Sequence, residues 1–498
     1  MRKTPAMFEN VALCARSASR TLMLHFSRVL KEKYQCKVHL YCYGRQEFAY
    51  YKKEASEFYD TLTDAALLHV RCFDSGLNHT DVVARAKRLE ALLRAPLNHL
   101  IMPERHFGRA FALGGFFHPR SRQSELPNWT QVLHAMASTL EFWEREFREK
   151  AIDLVLDGSR EASRMAEAMA IPARILVGSR YKNYHYWAWN DLYESPLIER
   201  AYRKRSKVVR ELEADKPYHA HLAARKTYKN AFSARTAAFL MGYEIARYAY
   251  WHLKGYEKAK GYYCLENVKY HYRVWSHWKQ LNRLPLLRLK DLEGVRFVYF
   301  PLHVEPETAL HGISPEFFDQ LGLVASIARD LPADSILAVK EPYGMVGRRP
   351  DHFYKQLSDF KNVRLLHPWE IGIQCAQSAA AVVTICGTAG LEGILAGRPV
   401  VTVGQHNIYN CATGVYRLDS TFDLCPALSW ALERSVPDRD IMQDAQLLLN
   451  AVLDCSFDLG TYDYISLNSF DPSIFADMLT ALETSLAAPQ QSAVETAV

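Results

Sequence analysis

Short apolar runs alternate with helical patterns along the first part of the chain. The run NVALCA (10–15) precedes the helical pattern TLMLHFSRVLKEKY, and KVHLYCYG follows as a second run that ends at a glycine. A strand, a helix and a strand in this order favour two parallel strands joined by a crossover helix. Further strands are predicted at residues 97–102, 151–158 and 173–178. This rhythm predicts a doubly wound α/β domain.

The same alternation returns after Val295. RFVYFPLH is predicted to be a strand that stops near Pro301, and the helical pattern PEFFDQLGLVASIARDL follows it. Four more β-branched runs predict strands: SILAVKEP (335–342), NVRLL (362–366), AAVVTICG (380–387) and RPVVTVG (398–404). Two parallel sheets in one chain leave a cleft between them, and ligands bind outside the carboxyl ends of such strands.

The middle of the chain differs in composition from both α/β parts. It is rich in Tyr, Trp, Lys, Arg and Ala and poor in strand signals, which predicts a helical insertion. We therefore expect an N-terminal Rossmann-like acceptor domain (1–190), a helical insertion or linker (191–290), a C-terminal Rossmann-like domain (291–485) and a disordered tail (486–498).

Charge and cysteine usage bear on the compartment. The formal charge of +6 suits a phosphate-bearing ligand or an anionic membrane surface. The ten cysteines contain no CxxC pair and are typical of buried thiols in a reducing compartment. Because no long apolar run occurs, we expect a cytoplasmic protein. The aromatic and basic insertion also fits peripheral contact with the inner membrane, although packed helices with solvated basic faces explain it as well.

Several motif classes are missing from the sequence. It has no GxGxxG, HExxH, GxSxG or Walker A motif and no zinc-finger, RNP or KH signature. The pair Asp438 and Asp440 lies in a polar loop and makes no convincing DxD metal site. We therefore expect a metal-independent mechanism, no cofactor, no metal ligands and no nucleic-acid partner.

The segment TICGTAGLEG (384–393) leads from an apolar strand through small residues into a helix. Glycine lets the backbone approach a ligand, and free N–H groups at a helix start favour a phosphate or carboxylate. Gly387, Gly390 and the Thr388 hydroxyl are candidate contacts, with Glu392 in the first helical turn. A tight strand-to-helix turn without a ligand explains the same letters equally well.

Two other strand ends in the second half carry ionisable side chains. FPLHVEPET places His303 and Glu305 after one strand, where they are candidate acid, base or ligand contacts. VKEPYGM places Lys340 and Glu341 after the next, where an ammonium group can pair with a phosphate. Each segment is also consistent with an exposed polar loop.

In the first half, Asp157 closes the predicted strand AIDLVLDG. A carboxylate there would face the cleft and could act as a base or nucleophile, although Asp157 or Ser159 could simply cap the next helix. Arg160 follows, and Arg105 and Arg109 come after another predicted strand. These three arginines are candidate contacts for an anionic acceptor or members of a solvated surface.

Taken in order, the segments FPLHVEPE, VKEP with its following GR, NVRLLHP and TICGTAGLEGILAGRPVVTVG resemble the capsule polysaccharide biosynthesis family of bacterial glycosyltransferases. The resemblance covers residues 295–410 well and the first half loosely. It implies a glycosyltransferase-B fold, in which two Rossmann-like domains face a cleft. It also implies transfer of a sugar from a nucleotide-activated donor, CMP-Kdo in some members, to a capsule, surface polysaccharide or lipid-linked glycan.

The resemblance also implies roles for particular residues. Lys340, Glu341, Gly387, Thr388 and Glu392 would line the donor nucleotide site, with His303 and Glu305 near the sugar. We take Asp157, His303 and Glu305 as candidates for the chemical step.

One segment departs from the family pattern. Where the family usually reads Lys-Glu-His-Pro, this chain has Lys340-Glu341-Pro342-Tyr343, so a histidine that could contact the nucleotide phosphate is missing. Two alternatives therefore stay open: a nucleotide-sugar epimerase on the same architecture, and a non-catalytic assembly protein that binds a glycan or nucleotide. The helical insertion favours a transferase over an epimerase, because an epimerase has no long acceptor to bind.

Overall fold

The computed structural model describes two open α/β sheets and the helices around them. The described residues are 7–15, 19–65, 68–104, 127–208, 210–212, 229–256, 264–305, 310, 312–421, 423–462 and 471–488. The candidate acceptor contacts Arg105 and Arg109 lie outside these ranges, as do residues 489–498 of the predicted tail.

Seven strands form the first sheet. They are Asn10–Ala15 (β1), Lys37–Cys42 (β2), Thr61–Asp64 (β3), Leu154–Leu156 (β4), Ala173–Gly178 (β5), Tyr184–Ala188 (β6) and Phe457–Asp458 (β13). The spatial order is β13-β6-β5-β4-β1-β2-β3, with parallel pairing from β5 to β3. Because the chain winds outwards from β1 in both directions, this half has the predicted doubly wound topology.

Helices cover both faces of the first sheet. They are Arg20–Tyr34 (α1), Arg45–Ala55 (α2), His79–Leu93 (α3), Asn98–Ile101 (α4), Trp129–Glu149 (α5) and Arg160–Ala168 (α6). Val11 and Leu13 belong to the core on one face of β1, and Ala12 and Cys14 to the core on the other. All four side chains are fully buried, as expected for a parallel strand between two helical layers.

The prediction of a strand at residues 97–102 is wrong, because this segment contains the short helix α4. Its buried side chains are Leu97, Leu100 and Ile101, which follow a spacing of three and four residues. That spacing puts all three on one helical face, whereas a half-buried strand would alternate. The apolar run is too short to show its helical spacing in the sequence.

Six parallel strands form the second sheet. They are Phe297–Pro301 (β7), Ile336–Lys340 (β8), Val363–Leu366 (β9), Ala381–Thr384 (β10), Val400–Thr402 (β11) and Val415–Arg417 (β12). The spatial order is β12-β11-β10-β7-β8-β9, so the winding direction reverses between β7 and β10. The helices are Gln320–Asp330 (α10), Phe353–Asp359 (α11), Gly372–Ser378 (α12), Thr388–Leu395 (α13), Cys425–Leu432 (α14) and Arg439–Asp454 (α15). The predicted architecture of two Rossmann-like halves is confirmed.

In the described part of the segment between the two sheets, three α-helices are present. They are Pro196–Lys204 (α7), Ala234–Leu253 (α8) and Cys264–Leu281 (α9). α8 and α9 pack side by side as a helical hairpin, and Val274 and Leu281 of α9 join the core of the second half. The insertion is therefore attached to the second sheet through α9.

The end of the chain returns to the first sheet. Strand β13 pairs with β6, and the last helix, Ile474–Ala487 (α16), packs its apolar face into the core beneath β1 and β2. Arg174 of β5, only 1% exposed, donates hydrogen bonds to the carbonyl and hydroxyl oxygens of Ser485. The sequence placed residues up to 485 with the second half, because local patterns do not show which sheet a late helix covers.

We predict that Met478→Ala in α16 lowers the free energy of unfolding by about 2–4 kcal/mol, since Met478 is fully buried against the first sheet. Thr480→Ala, at an exposed position on the same helix, serves as the control and should change it by less than about 0.5 kcal/mol. Thermal and urea unfolding measure both. Equal stability of the two variants would contradict the packing of α16.

Candidate active site

Loops from the two halves meet at a cleft. Arg180 follows β5 of the first sheet, and its Nη1 donates a 2.6 Å hydrogen bond to the carbonyl of Cys386, in the turn after β10. Glu194 in the loop after β6 pairs with His406 in the loop after β11, at 2.8 Å. The carboxyl edge of the second sheet, where ligands of parallel sheets bind, therefore faces the first half.

The turn between β10 and α13 is held by side chains from neighbouring strands. The Cys386 N–H donates to Nε2 of His303, which follows β7, at 3.2 Å. The Gly387 N–H donates to the Thr384 hydroxyl at 3.2 Å. A Cβ on Gly387 would lie 3.3 Å from His303 Nε2, so the turn fits closely against the strand end beside it. The turn at which the winding direction of the sheet reverses is therefore held in place by these contacts and is not an open loop.

Gly390 makes room for a tyrosine. A Cβ at this position would lie 2.5 Å from ring carbons of Tyr409, whose hydroxyl donates a 2.7 Å hydrogen bond to the Gly387 carbonyl. The predicted contact of Gly390 with a donor stays a prediction, and the geometry gives this glycine a packing role. Thr388, the first residue of α13, is exposed and faces no such constraint.

His303 is poorly suited to proton transfer. Burial lowers the pKa of its ring to about 3, and the positive charges of Arg180 and Arg349 add to this effect. The ring is therefore neutral at physiological pH, and its Nε2 already accepts the Cys386 N–H. This arrangement suits a residue that joins the ends of β7 and β10 better than a general base.

A buried arginine links the ends of β7 and β8. Nη1 of Arg349 donates to Glu305 at 2.7 Å, and Nε and Nη2 donate to the two oxygens of Glu341 at 2.9 and 3.0 Å. Nη2 also donates to the His303 carbonyl at 2.7 Å. All three ionised side chains are 4% exposed or less, so each depends on the others for compensation of its charge.

Gln320 completes this cluster from α10. It is buried, it accepts the His303 N–H at 2.7 Å, and its amide donates to the His303 carbonyl and to Glu305. Burial raises the pKa of the Glu305 carboxyl, against the opposing effect of Arg349. Glu305 and Glu341, predicted from the sequence as site residues, therefore lie behind the cleft as partners of Arg349.

A cavity of about 390 Å³ opens beside this cluster. Its lining residues are Val304, Lys340, Pro342, Tyr343, Gly344, Arg348, Glu370 and Gly372. Within the described residues the Lys340 ammonium group makes no hydrogen bond or ion pair, whereas Glu370 is bound by Arg288 Nη1 and the Leu289 N–H. The cavity therefore offers a cation that has no partner among the described residues.

Burial lowers the pKa of Lys340, and the nearby Cys375 and the carboxylates of Glu341, Glu370 and Glu392 oppose that shift. Glu392, predicted to line the same site, thus lies close enough to Lys340 to affect its charge. Lys340 and Arg348 are the cavity-lining residues that can supply positive charge to an anionic ligand.

In the first half, Asp157 directly follows the strand β4, has a left-handed backbone (φ 55°) and is 2% exposed. The cap of α6 is Ser159, whose hydroxyl accepts the Ala162 N–H, so the cap alternative holds for Ser159 and not for Asp157. Arg160 forms an ion pair with Asp191 at 3.2 Å. Asp191 therefore compensates part of the positive charge that was expected to bind an anionic acceptor.

Three residues near the strand ends of the candidate site were missed by sequence reasoning. Arg180 lies in the loop after β5, Gln320 begins α10, and Glu161 lies in the first turn of α6. Burial raises the pKa of the Glu161 carboxyl, and Glu104 raises it further. No local motif marks Arg180 or Gln320, since the residues they contact lie at least 15 positions away along the chain. Glu161 lies next to Arg160, in the segment after β4 that the sequence had indicated.

We predict that Arg349→Met lowers the free energy of unfolding by about 3–5 kcal/mol, because two buried carboxylates lose their cation. Without the arginine, the raised pKa of Glu305 would rise further. The loss in the free energy of unfolding should therefore be largest at neutral and alkaline pH, where the carboxyl is ionised, and should become smaller as the pH falls through that pKa. Urea unfolding at a series of pH values measures this loss. Arg348→Met, whose hydrogen bonds are 3.4 Å long, is the control, and equal losses would contradict the account.

Comparisons with solved structures give distant similarities of fold. KpsC of Thermosulfurimonas dismutans, a beta Kdo 2,7 transferase, is 13% identical and aligns over 69% of this chain and 89% of its own, with a TM-score of 0.36. Anabaena Alr3699/HepE in complex with UDP and glucose is 10% identical over 95% and 100%, with a TM-score of 0.33. A putative UDP-N-acetylglucosamine 2-epimerase from Listeria monocytogenes is 10% identical over 99% and 100%, with a TM-score of 0.27. No curated protein sequence matches the chain.

A comparison of the sequence with profiles of protein families shows which family the chain belongs to. The sequence profile of the capsule polysaccharide biosynthesis protein family matches residues 196–446, just over half of the chain. That range contains the second sheet, the cavity with Lys340, and the turn between β10 and α13. The chain belongs to the capsule polysaccharide biosynthesis protein family.

Proposed function

We propose that this protein is a glycosyltransferase that moves a sugar from a nucleotide-activated donor to a capsule or other surface glycan. The observation that carries the proposal is the Lys340 ammonium group, which lines a cavity at the carboxyl edge of the second sheet without a partner among the described residues. Diphosphate or monophosphate groups of a donor are anions that such a cation can bind.

The size and composition of the cavity support a nucleotide as ligand. Its volume of about 390 Å³ falls in the range of small-molecule sites. Tyr343 and Pro342 supply apolar surface, and Lys340 and Arg348 supply positive charge. A ligand with a flat apolar ring and an anionic group matches this set.

The donor is proposed as a nucleotide sugar, with CMP-Kdo as the form that the family resemblance suggests. Pro342 and Tyr343 stand where the family usually has His-Pro, and both residues line the cavity. Arg348, which also lines it, offers a donor of hydrogen bonds in place of the absent histidine. A donor bound here would therefore depend on Lys340 and Arg348 for its phosphate contacts.

The acceptor is proposed to bind along the first half, across the cleft. A base there would take the proton from the acceptor hydroxyl while its oxygen forms the new bond to the sugar. The bond between the sugar and the phosphate oxygen breaks, and Lys340 and Arg348 stabilise the departing nucleotide.

Glu161 is our preferred base. It is partly exposed, unlike Asp157, and its raised pKa brings the carboxyl closer to the range where a base is effective.

We predict that one nucleotide from a panel of CMP, CDP, UMP, UDP, GDP and ADP raises the melting temperature of the protein, since a ligand that binds only the folded state stabilises it. Lys340→Met should weaken that binding by about tenfold or more, because it removes a charge-assisted hydrogen bond. Binding should also weaken as the pH rises through the lowered pKa of Lys340. Calorimetric titration measures each effect.

The control for this test is Lys355→Met, which removes an exposed lysine from α11 of the same half. It should bind the nucleotide as the wild type does. Wild-type affinity in Lys340→Met, or no binding by any nucleotide, would refute the donor site. Conversion of the donor sugar without an acceptor would favour an epimerase, and binding without turnover would favour the assembly protein.

A second prediction concerns the base. Glu161→Gln should lower kcat by about 100-fold or more, with nucleotide affinity unchanged. Wild-type activity should fall as the pH drops through a pKa above the ordinary range of glutamate, because the base must be ionised. Glu167→Gln, at an exposed position on the same helix, should be fully active. Full activity of Glu161→Gln, with activity lost in a folded Asp157→Asn, would assign the base to Asp157.

A further inference from the structure

The outer surface of α8 has an unusual composition. Twelve of its residues are exposed, and ten of these are Ala, Gly, Phe, Tyr, Ile or Leu; the other two are Arg235 and His252. The large exposed side chains are Phe239, Tyr243, Ile245, Tyr250 and Leu253, with exposures from 49% to 86%. A helix on the surface of a globular protein normally shows the opposite pattern, with polar residues facing outwards.

The inner side of α8 explains this inversion. Its buried residues are Ala237, Glu244 and Trp251, and Glu244 pairs with Arg247 of its own helix and faces His271 of α9 at 3.7 Å. The contact between the two helices thus includes a buried carboxylate. The apolar side chains that could have filled this contact are on the outside instead, where they gain nothing from folding of the chain alone.

The exposed side of α9 continues the same surface. Leu265 and Tyr272 are exposed at 69% and 52%, and Lys269 and Lys279 are exposed beside them. Of the twelve large hydrophobic side chains that are exposed in the described residues, seven lie on α8 and α9. They are concentrated in one small part of the chain, which marks an interaction surface.

The described surface of the hairpin carries charge of one sign. Residues 229–283 hold ten Lys and Arg against three Asp and Glu, a surplus of seven, whereas the whole chain has a surplus of six. In the described part of the hairpin both carboxylates are buried, Glu244 beside Arg247 and Glu266 beside Lys269. The exposed charges here are therefore positive.

We propose that the α8–α9 hairpin docks on the surface of an anionic lipid membrane, with the outer face of α8 in the interface. Aromatic and aliphatic side chains enter the boundary between headgroups and acyl chains, and the surrounding lysines and arginines contact lipid phosphates. α8 is about 30 Å long and would lie in the plane of the membrane. No helix in the described ranges is long and apolar enough to cross a membrane.

Other side chains of α9 connect the hairpin to the cavity. Arg273 donates hydrogen bonds to the carbonyls of Gly347 and Arg349, and the Tyr270 hydroxyl accepts one from Arg348. A hairpin on the membrane would therefore hold the Lys340 cavity close to the lipid surface. The docking itself does not depend on the proposed transferase activity.

The test is flotation of the purified full chain with vesicles. We expect binding to vesicles of equal parts phosphatidylglycerol and phosphatidylcholine, little binding to phosphatidylcholine alone, and loss at high ionic strength. The variant Phe239→Ser, Tyr243→Ser and Leu253→Ser combined should bind at least about tenfold more weakly, because it removes buried apolar area. The control Trp129→Ser with Met442→Ser, at exposed positions outside the hairpin, should bind like the wild type.

A second variant, Lys254→Glu with Lys279→Glu, keeps the proposal testable if the serine variant misfolds. Both lysines are exposed and neither forms an ion pair within the described residues, so unchanged melting with weaker flotation is expected. Wild-type flotation of either folded variant, or equal flotation with neutral vesicles, would overturn the proposal. It would also be overturned if the chain ignores vesicles and forms a dimer that the serine variant dissolves, since the face would then belong to a second copy.

Discussion

The compensation of charge around Arg349 is the interaction on which the second half depends. Its guanidinium group holds Glu305 after β7, Glu341 after β8, and the carbonyl of His303. A buried charge without partners costs several kcal/mol, so these strand ends cannot move apart independently. The shape of the cavity beside them depends on this constraint. Its lining residues Lys340 and Arg348 directly precede Glu341 and Arg349, so the ion pair between Glu341 and Arg349 fixes their positions.

The same cluster extends in two directions. Through His303 it reaches Cys386 and the turn before α13, which Arg180 of the first half also contacts. Through the Arg349 carbonyl it reaches Arg273 on α9, and so the helical hairpin. The Lys340 cavity, the contact between the halves and the proposed membrane surface are thus joined by one set of buried and partly buried hydrogen bonds. A small displacement at one of these places would therefore affect the others.

Much of the fold could be predicted from sequence because its signals are local. Runs such as NVALCA and AAVVTICG are short, apolar and followed by helical patterns, and they became β1 and β10. The assignment of α16 to the first sheet could not be predicted, since nothing near Met478 indicates which distant core it enters. The short helix α4 was missed because six residues are too few to show whether the period is two or near four.

The candidate site was likewise predictable where its signals are local and unpredictable where they depend on residues distant in sequence. Motifs located the strand ends, so Lys340 and His303 were found at the edge where ligands bind. The roles of single residues needed three-dimensional partners: Glu305 and Glu341 looked like ligand contacts but neutralise Arg349, and Gly390 accommodates Tyr409. Arg180 carries no motif at all, and its importance appears only where its guanidinium reaches the Cys386 carbonyl.

The most direct test of this account is a crystal structure of the protein with the nucleotide that stabilises it best. We predict phosphate oxygens within hydrogen-bonding distance of Lys340 Nζ, a nucleobase or ribose against Tyr343, and an unchanged cluster of Arg349 with Glu305 and Glu341. A nucleotide seated instead beside Arg160 at the edge of the first sheet, with the Lys340 cavity empty, would contradict the central claim.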